Sequence, residues 1–235
     1  MNLSNPARLA TEFQRLFPAG VIAAELTEPG TVELLLAAEA ACLGRSVPER
    51  QQEFAAGRLC ARRALEELGV MDHPVVTQAD RQPVWPAGIV GSITHTVSLC
   101  AAVVGRRGQF AGLGVDSEVV GRMTAELRPR ICGPDELAWI DSLPLAQHAI
   151  ASALVFAAKE AFYKCQSPMT GQWLGFHDLK IEPASFESAI AQGTVDSFRI
   201  IPIRVMALSA LTPGPLEGRY RFHEAFVSAG VAIAA

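Results

Sequence analysis

The segment Gly114-Val115-Asp116-Ser117-Glu118 closes a run that is otherwise apolar. In an extended chain residues i and i+2 point the same way, so Asp116 and Glu118 put two carboxylates on one face, about 7 Å apart at the backbone. Hard oxygen donors with no His or Cys beside them favour Mg2+ over zinc, and a Mg2+ ion held by few carboxylates takes phosphate oxygens as further ligands. A solvated strand end shows the same spacing. Further along, Phe156-Ala-Ala-Lys159-Glu160-Ala-Phe-Tyr163-Lys164 sets Glu160 and Lys164 at i and i+4 on one helical face, with Lys159 and Tyr163 alongside. A surface ion pair also fits, yet the chain has only three lysines, Lys159, Lys164 and Lys180, and two of them flank this Glu. A Glu among apolar residues but beside cations suits a metal ligand or a general base, and Lys binds phosphate as a point charge. The third cluster is Gly91-Ser92-Ile93-Thr94-His95-Thr96, preceded by Arg50, Arg58 and Arg62 at roughly helical spacing. Together these would form a phosphate-binding wall; a capping Ser and a hydrogen-bonded His are the structural counterpart. A Ser/His hydrolase is unsupported, because the nucleophile-elbow pattern is absent and Ser92 and His95 sit three apart in an extended segment. Neither a dinucleotide-binding glycine fingerprint nor a P-loop occurs.

Helices are expected over Glu33 to Leu43, Glu49 to Leu68 and Leu145 to Cys165, the last with an apolar stripe of Ile150, Leu154, Ala157 and Ala161. Strands are expected over Ile89 to Ile93, Ser98 to Val104 and Gln109 to Ser117, the latter two as neighbours across GRRG. Further β segments read as Leu179 to Ile181, Ser197 to Leu208 and Tyr220 to Ala235. Helices followed by strands, twice over, give an α+β chain of two halves, 1–108 and 109–235, without a flexible linker. With 50% apolar and 19% charged residues the composition is that of a globular protein. Its net charge of −4 provides no global field for nucleic acid or anionic lipid. Five cysteines without CxxC make neither a disulfide framework nor a zinc site. Arg8, Glu12 and Arg15 interrupt the stretch where an export signal would need apolar residues, and no long apolar run suggests a membrane span. A cytoplasmic monomer is expected.

In this order, GSITHT, GVDSE and FAAKEAFYK resemble the signature blocks of the 4′-phosphopantetheinyl transferases of the surfactin-synthetase and siderophore-synthetase type. The likeness extends to ERQQEFAAGRLCARRALEELG and ADRQPVWPAG upstream and GQWLGFHDLKI downstream, covering about residues 45 to 185. It most resembles the branch serving polyketide and nonribosomal peptide synthetases. The resemblance implies two similar α+β subdomains related by a pseudo-twofold, with coenzyme A in the cleft between them. It also implies a reaction in which a serine of an apo carrier protein (acyl, peptidyl or polyketide) takes the phosphopantetheine arm and adenosine 3′,5′-bisphosphate leaves. Carried over by motif, Asp116 and Glu118 would hold Mg2+, with Glu160 as third ligand, as the base for the serine, or both. Lys164 would assist proton removal or neutralise charge, and Lys159 would contact the pyrophosphate. Arg50, Arg58 and His95, with Ser92 in the same block, would hold the 3′-phosphate, and Arg81 would lie against the adenine.

A Mg2+-dependent hydrolase of coenzyme A or a related nucleotide pyrophosphate is the alternative within the same chemistry. A binding module that has lost catalysis is disfavoured by the intact Asp116, Glu118, Glu160 and Lys164. Since carrier proteins are typically acidic, docking is expected to use an apolar patch with local cations. The candidates are Ser167 to Leu174 with Arg122, Arg128 and Arg130.

Overall fold

The computed structural model describes residues 5–78, 81–205, 214–223 and 225–235, apart from the Thr11 side chain. Internal contacts divide the chain into two units, Met1–Leu113 with Ala234–Ala235, and Gly114–Ile233. The first contains β1 (Arg8–Leu9), α1 (Thr11–Gln14), β2 (Ile22–Leu26), α2 (Ala37–Ala40), α3 (Pro48–Glu67), β3 (Ile89–His95) and β4 (Cys100–Arg106). Pro48 opens α3, where a missing N–H costs no helical bond. The buried row Leu59, Cys60, Ala64 and Leu65 then packs with Ala24, Ile89, Ala102 and Val104 of an antiparallel sheet ordered β1-β2-β4-β3.

The strand β5 (Phe110–Val119) runs from the first unit into the second. Then come α4 (Arg128–Ile131), α5 (Pro134–Ser142), α6 (His148–Thr170), β6 (Leu179–Pro183), α7 (Phe186–Gln192), β7 (Asp196–Pro202), β8 (Leu216–Phe222) and β9 (Phe226–Ala234). The sheet order is β5-β9-β8-β7-β6, with β6 to β9 pairing antiparallel. Buried Leu154, Ala157, Ala161, Phe162 and Cys165 line α6, which packs against β6 and β8. Each unit is thus a long helix on a sheet, an α+β arrangement as expected.

Several elements differ from the sequence reading. Instead of a helix over Glu33 to Leu43 there is a 3-10 turn, Val32–Leu34, and then the four-residue α2. Glu39 causes the break: its buried carboxylate accepts the N–H groups of Leu36 and Val75, each at 3.0 Å, and pairs with Arg62 at 2.5 Å. The strands on either side of GRRG are not sheet neighbours, because both edges of β4 are taken by β2 and β3, and β5 joins β9 instead. Helix α6 continues through Pro168 and stops at left-handed Gly171 (φ 63°); a proline this close to the end removes one hydrogen bond from the last turns. The segment from Tyr220 onward is a hairpin, β8 and β9, with His223 N–H donating to Phe226 O at 2.8 Å. The strand expected over Ser197 to Leu208 ends at Pro202, and its residues 206–208 lie outside the described residues, as do 79–80 of the ADRQPVWPAG loop. No described helix is long and apolar enough to cross a membrane.

Candidate active site

The second unit carries the carboxylates. On β5, Asp116 and Glu118 lie on one face, while Ser117 points to the other and meets Ser228 of β9, Oγ to Oγ 2.8 Å. Gly114 shares the face of Asp116 and explains how a helix reaches it. A Cβ there would stand 1.8 Å from Ala161 O and 2.7 Å from Cys165 N, so β5 and α6 touch backbone to backbone. That contact seats Glu160 and Lys164, each one residue before a touching residue, beside the end of the strand. Lys164 Nζ lies 2.6 Å from Asp116 Oδ1 and 3.4 Å from Val115 O.

Asp116, Glu118, Glu160 and Lys164 are near enough to act on one another's charge. Burial holds the Glu160 carboxyl above its ordinary range, with repulsion from Asp116 and Glu118 adding and Lys164 opposing. Glu118 is raised by burial and by Asp116, against its bond from Val119 N–H and the charges of Arg122 and Lys164. Among the described residues no three His, Cys, Asp or Glu side chains are grouped so that together they could hold a metal ion. The donor set nevertheless fits Mg2+, which takes one or two carboxylates and leaves its other positions to water and phosphate. Partly desolvated oxygen donors with raised proton affinity are a charge imbalance that a hard dication offsets.

Lys159, expected on the pyrophosphate, is placed differently. It is 2% exposed and donates to Ile131 O at 2.8 Å, Glu136 Oε2 at 2.6 Å and Phe176 O at 2.7 Å, which uses all three ammonium protons inside the protein. Its partner Glu136 also accepts Gly133 N–H at 2.7 Å and Ile181 N–H at 2.8 Å. One buried pair thereby ties together α4, α5, α6, β6 and the 3-10 turn Phe176–Asp178. Sequence reasoning missed Glu136; the GPDE run signals a helix start, with Pro at the first position and Glu at the third, and nothing in it announces a buried partner. Beside this pair lies a pocket of about 530 Å³, whose wall includes Glu160, Tyr163, Leu174 and Phe176.

The first unit carries the basic cluster. Arg50 Nη1 meets His95 Nε2 at 2.8 Å and Glu53 Oε2 at 2.8 Å. This geometry makes His95 the acceptor at Nε2. Arg58 is buried: Nε donates to Val75 O at 2.7 Å, Nη2 to Thr77 Oγ1 at 2.6 Å, and the guanidinium sits 4.0 Å over the Phe54 ring. It holds the segment that ends at Thr77, which bridges to Pro83; beside Pro83, exposed Arg81 takes a left-handed conformation (φ 69°). Arg62 is committed to Glu39 and Leu34 O and contributes nothing to a phosphate wall. Ser92 is buried on the face of β3 opposite His95, so those two residues are not brought together.

Comparison with known proteins gives one answer across the chain. Residues 38–105 match the 4′-phosphopantetheinyl transferase N-terminal domain, and residues 112–202 match the 4′-phosphopantetheinyl transferase superfamily. The chain is 35% identical over 195 residues to the 4′-phosphopantetheinyl transferase Npt of Nocardia iowensis, covering 80% of this chain and 85% of that one. It is 34% identical over 207 residues to Svp of Streptomyces mobaraensis, covering 87% and 80%. To PptT of Mycobacterium tuberculosis it is 35% identical over 196 residues, covering 83% and 84%. Matched along both units and over most of its own length and theirs, the chain belongs to the 4′-phosphopantetheinyl transferase superfamily.

Proposed function

We propose that this enzyme moves the 4′-phosphopantetheine arm of coenzyme A to a serine of apo carrier proteins, in a Mg2+-dependent reaction. The observation that carries the mechanism is the group of Asp116, Glu118 and Glu160 with Lys164 on two elements locked together at Gly114. The serine oxygen bonds to the phosphorus that bears pantetheine. The bond from that phosphorus to the bridging oxygen breaks, its electron pair leaves with adenosine 3′,5′-bisphosphate, and the serine proton passes to Glu160. Burial gives Glu160 a proton affinity above that of an ordinary carboxylate, which suits a base. Mg2+ held by Asp116 and Glu118, with Glu160 as a third ligand, would draw charge from the pyrophosphate oxygens. Lys164 keeps Asp116 oriented and adds a positive charge where negative charge develops.

Recognition falls to the first unit. Arg50 and His95 form the 3′-phosphate site: an entering phosphate takes over the Arg50 donation now made to Glu53, and an exposed pair of that kind is worth only about 0–1 kcal/mol. Arg58 maintains the loop from which Arg81 reaches the adenine. In the second unit the inner wall of Tyr163, Leu174 and Phe176 suits the pantetheine arm. Lys159 acts as a positioning residue, holding the segments around that wall.

The test is mass spectrometry of a panel of apo carrier proteins incubated with coenzyme A, with Mg2+ or with chelator. We expect one phosphopantetheine adduct per carrier, lost in chelator and in Asp116→Ala. Adenosine 3′,5′-bisphosphate released without carrier would overturn the reading in favour of hydrolysis, and full activity in chelator would remove the metal.

A further inference from the structure

Most of the large apolar side chains that the described residues expose, such as Val47, Met71, Val97 and Leu145, are scattered along the chain, as they are on any soluble surface. Three others belong together. Trp173 is 70% exposed, Ile203 60% and Val205 91%. Arg204, between the last two, donates from Nη2 to Trp173 O at 3.3 Å, and Ile203 N–H donates to Asp178 O at 2.9 Å. These bonds bring the strand end after β7 beside the loop after α6, each with its exposed apolar side chains. Trp173 and Arg204 line the pocket that Glu160 also lines.

The patch is held in place. Gln166 Nε2 donates to Gln172 O at 2.9 Å, Gly175 N–H to Asp178 Oδ2 at 2.7 Å, and Arg204 pairs with Asp178 at 3.4 Å. Trp173 thus has a fixed backbone and an open ring, and Gly175 lies close against it, where a Cβ would stand 3.3 Å from the ring. A large aromatic held on an ordered loop is the kind of group that anchors a partner, since little freedom is lost on binding. Two arginines stand beside it. Arg130 lines the same pocket and has no ion-pair partner among the described residues, and Arg204 is half-exposed beside the patch.

We propose that Trp173, Ile203 and Val205, flanked by Arg130 and Arg204, are the surface on which the apo carrier protein docks. The inference rests on the transferase reading above and adds where its protein substrate sits. Glu160, the proposed base, lines this pocket beside the wall given to the pantetheine arm, so a protein that brings a serine to Glu160 stands at the mouth. An apolar centre with a positive rim fits a partner whose serine is flanked by apolar and acidic side chains. A contact of this kind belongs with small, transient interfaces, under about 1,200 Å².

The test compares wild type with Ile203→Glu/Val205→Glu and with Arg130→Glu, measuring KM for an apo carrier and KM for coenzyme A, and binding of a Ser→Ala carrier by calorimetry. The double variant should raise the carrier KM tenfold or more and weaken calorimetric binding to match, with the coenzyme A KM within twofold. Arg130→Glu, on a different segment, should raise the carrier KM and flatten its dependence on salt. Unchanged carrier KM and binding in both variants would overturn the docking surface and leave the transferase reading standing. Parallel rises in both KM values would also overturn it. So would conversion of a dimer to a monomer with the carrier KM unchanged, which would assign the patch to a second copy of the chain. A wild-type enzyme that modifies no carrier in the panel overturns the transferase reading itself, and the docking surface with it.

Discussion

At Glu160 burial and charge act in opposite directions, and their balance decides what the residue can do. Lys164 at i+4 and a bound cation both favour the ionised carboxylate, which on spacing alone makes Glu160 a weak base. Before a cation binds, burial, with Asp116 and Glu118 nearby, outweighs Lys164 and raises its proton affinity. The folded form then binds the Glu160 proton more tightly than the unfolded chain does. Above the ordinary carboxyl value of 4.5 this costs stability, the cost growing until the folded value is passed, and below 4.5 it disappears. Glu160→Gln should therefore lower kcat by roughly 10²-fold or more, with a much smaller change in the coenzyme A KM. In chelator the same variant should melt a few degrees above wild type at pH 7, the advantage vanishing near pH 4. Calorimetry at the two pH values reads the effect. A variant that is less stable at pH 7 and turns over within a few-fold of wild type would mark Glu160 as half of an ordinary helix salt bridge.

Among the elements, the decisive meeting is that of β5 and α6. Both were legible as a strand and a helix from their periodicity, and the two blocks proposed as catalytic were legible from their residues. The contact that joins them depends on Gly114, whose need appears only when the Ala161 carbonyl is found where a Cβ would be. Gly114→Ala should push α6 off the strand, costing about 1–3 kcal/mol or more as overpacking does. Because the shift separates Glu160 from Asp116, activity should fall by more than the folded fraction does. Thermal melts beside transfer rates well below the melting temperature separate the two, and activity within twofold of wild type would show that the helix accommodates a methyl group. The Lys159–Glu136 pair works at the same scale. Removing one partner of a buried pair strands the other, at about 3–5 kcal/mol, which is reason enough for a lysine here without a phosphate contact.

Across the whole molecule the proposed chemistry divides by unit. Arg50, His95, Arg58 and Arg81 belong to the first, and Asp116, Glu118, Glu160 and Lys164 to the second. Since the 3′-phosphate is remote from the reacting phosphorus, Arg50→Ala and His95→Ala should raise the coenzyme A KM several-fold and leave kcat nearly unchanged. With dephospho-coenzyme A the same variants should behave like wild type. Variants that discriminate against dephospho-coenzyme A as strongly as wild type does would remove these residues from the phosphate site.

The types and spacing of residues determined a great deal on their own. They were enough for an α+β chain, the two long helices, the carboxylate pair on a strand and the Glu and Lys on one helical turn, because these follow from local periodicity and side-chain chemistry. Ordered blocks pointed to the family that the comparisons confirm. Only tertiary structure decided which charges are spent inside the protein. Lys159, Arg58 and Arg62 look like phosphate ligands by type, yet each donates to carbonyls or carboxylates far away in sequence. Likewise β4 and β5, adjacent in the chain, part company because a strand has two edges and both edges of β4 were filled from elsewhere. A buried donor takes whatever acceptor the fold brings to it, and the sequence does not record which one that will be.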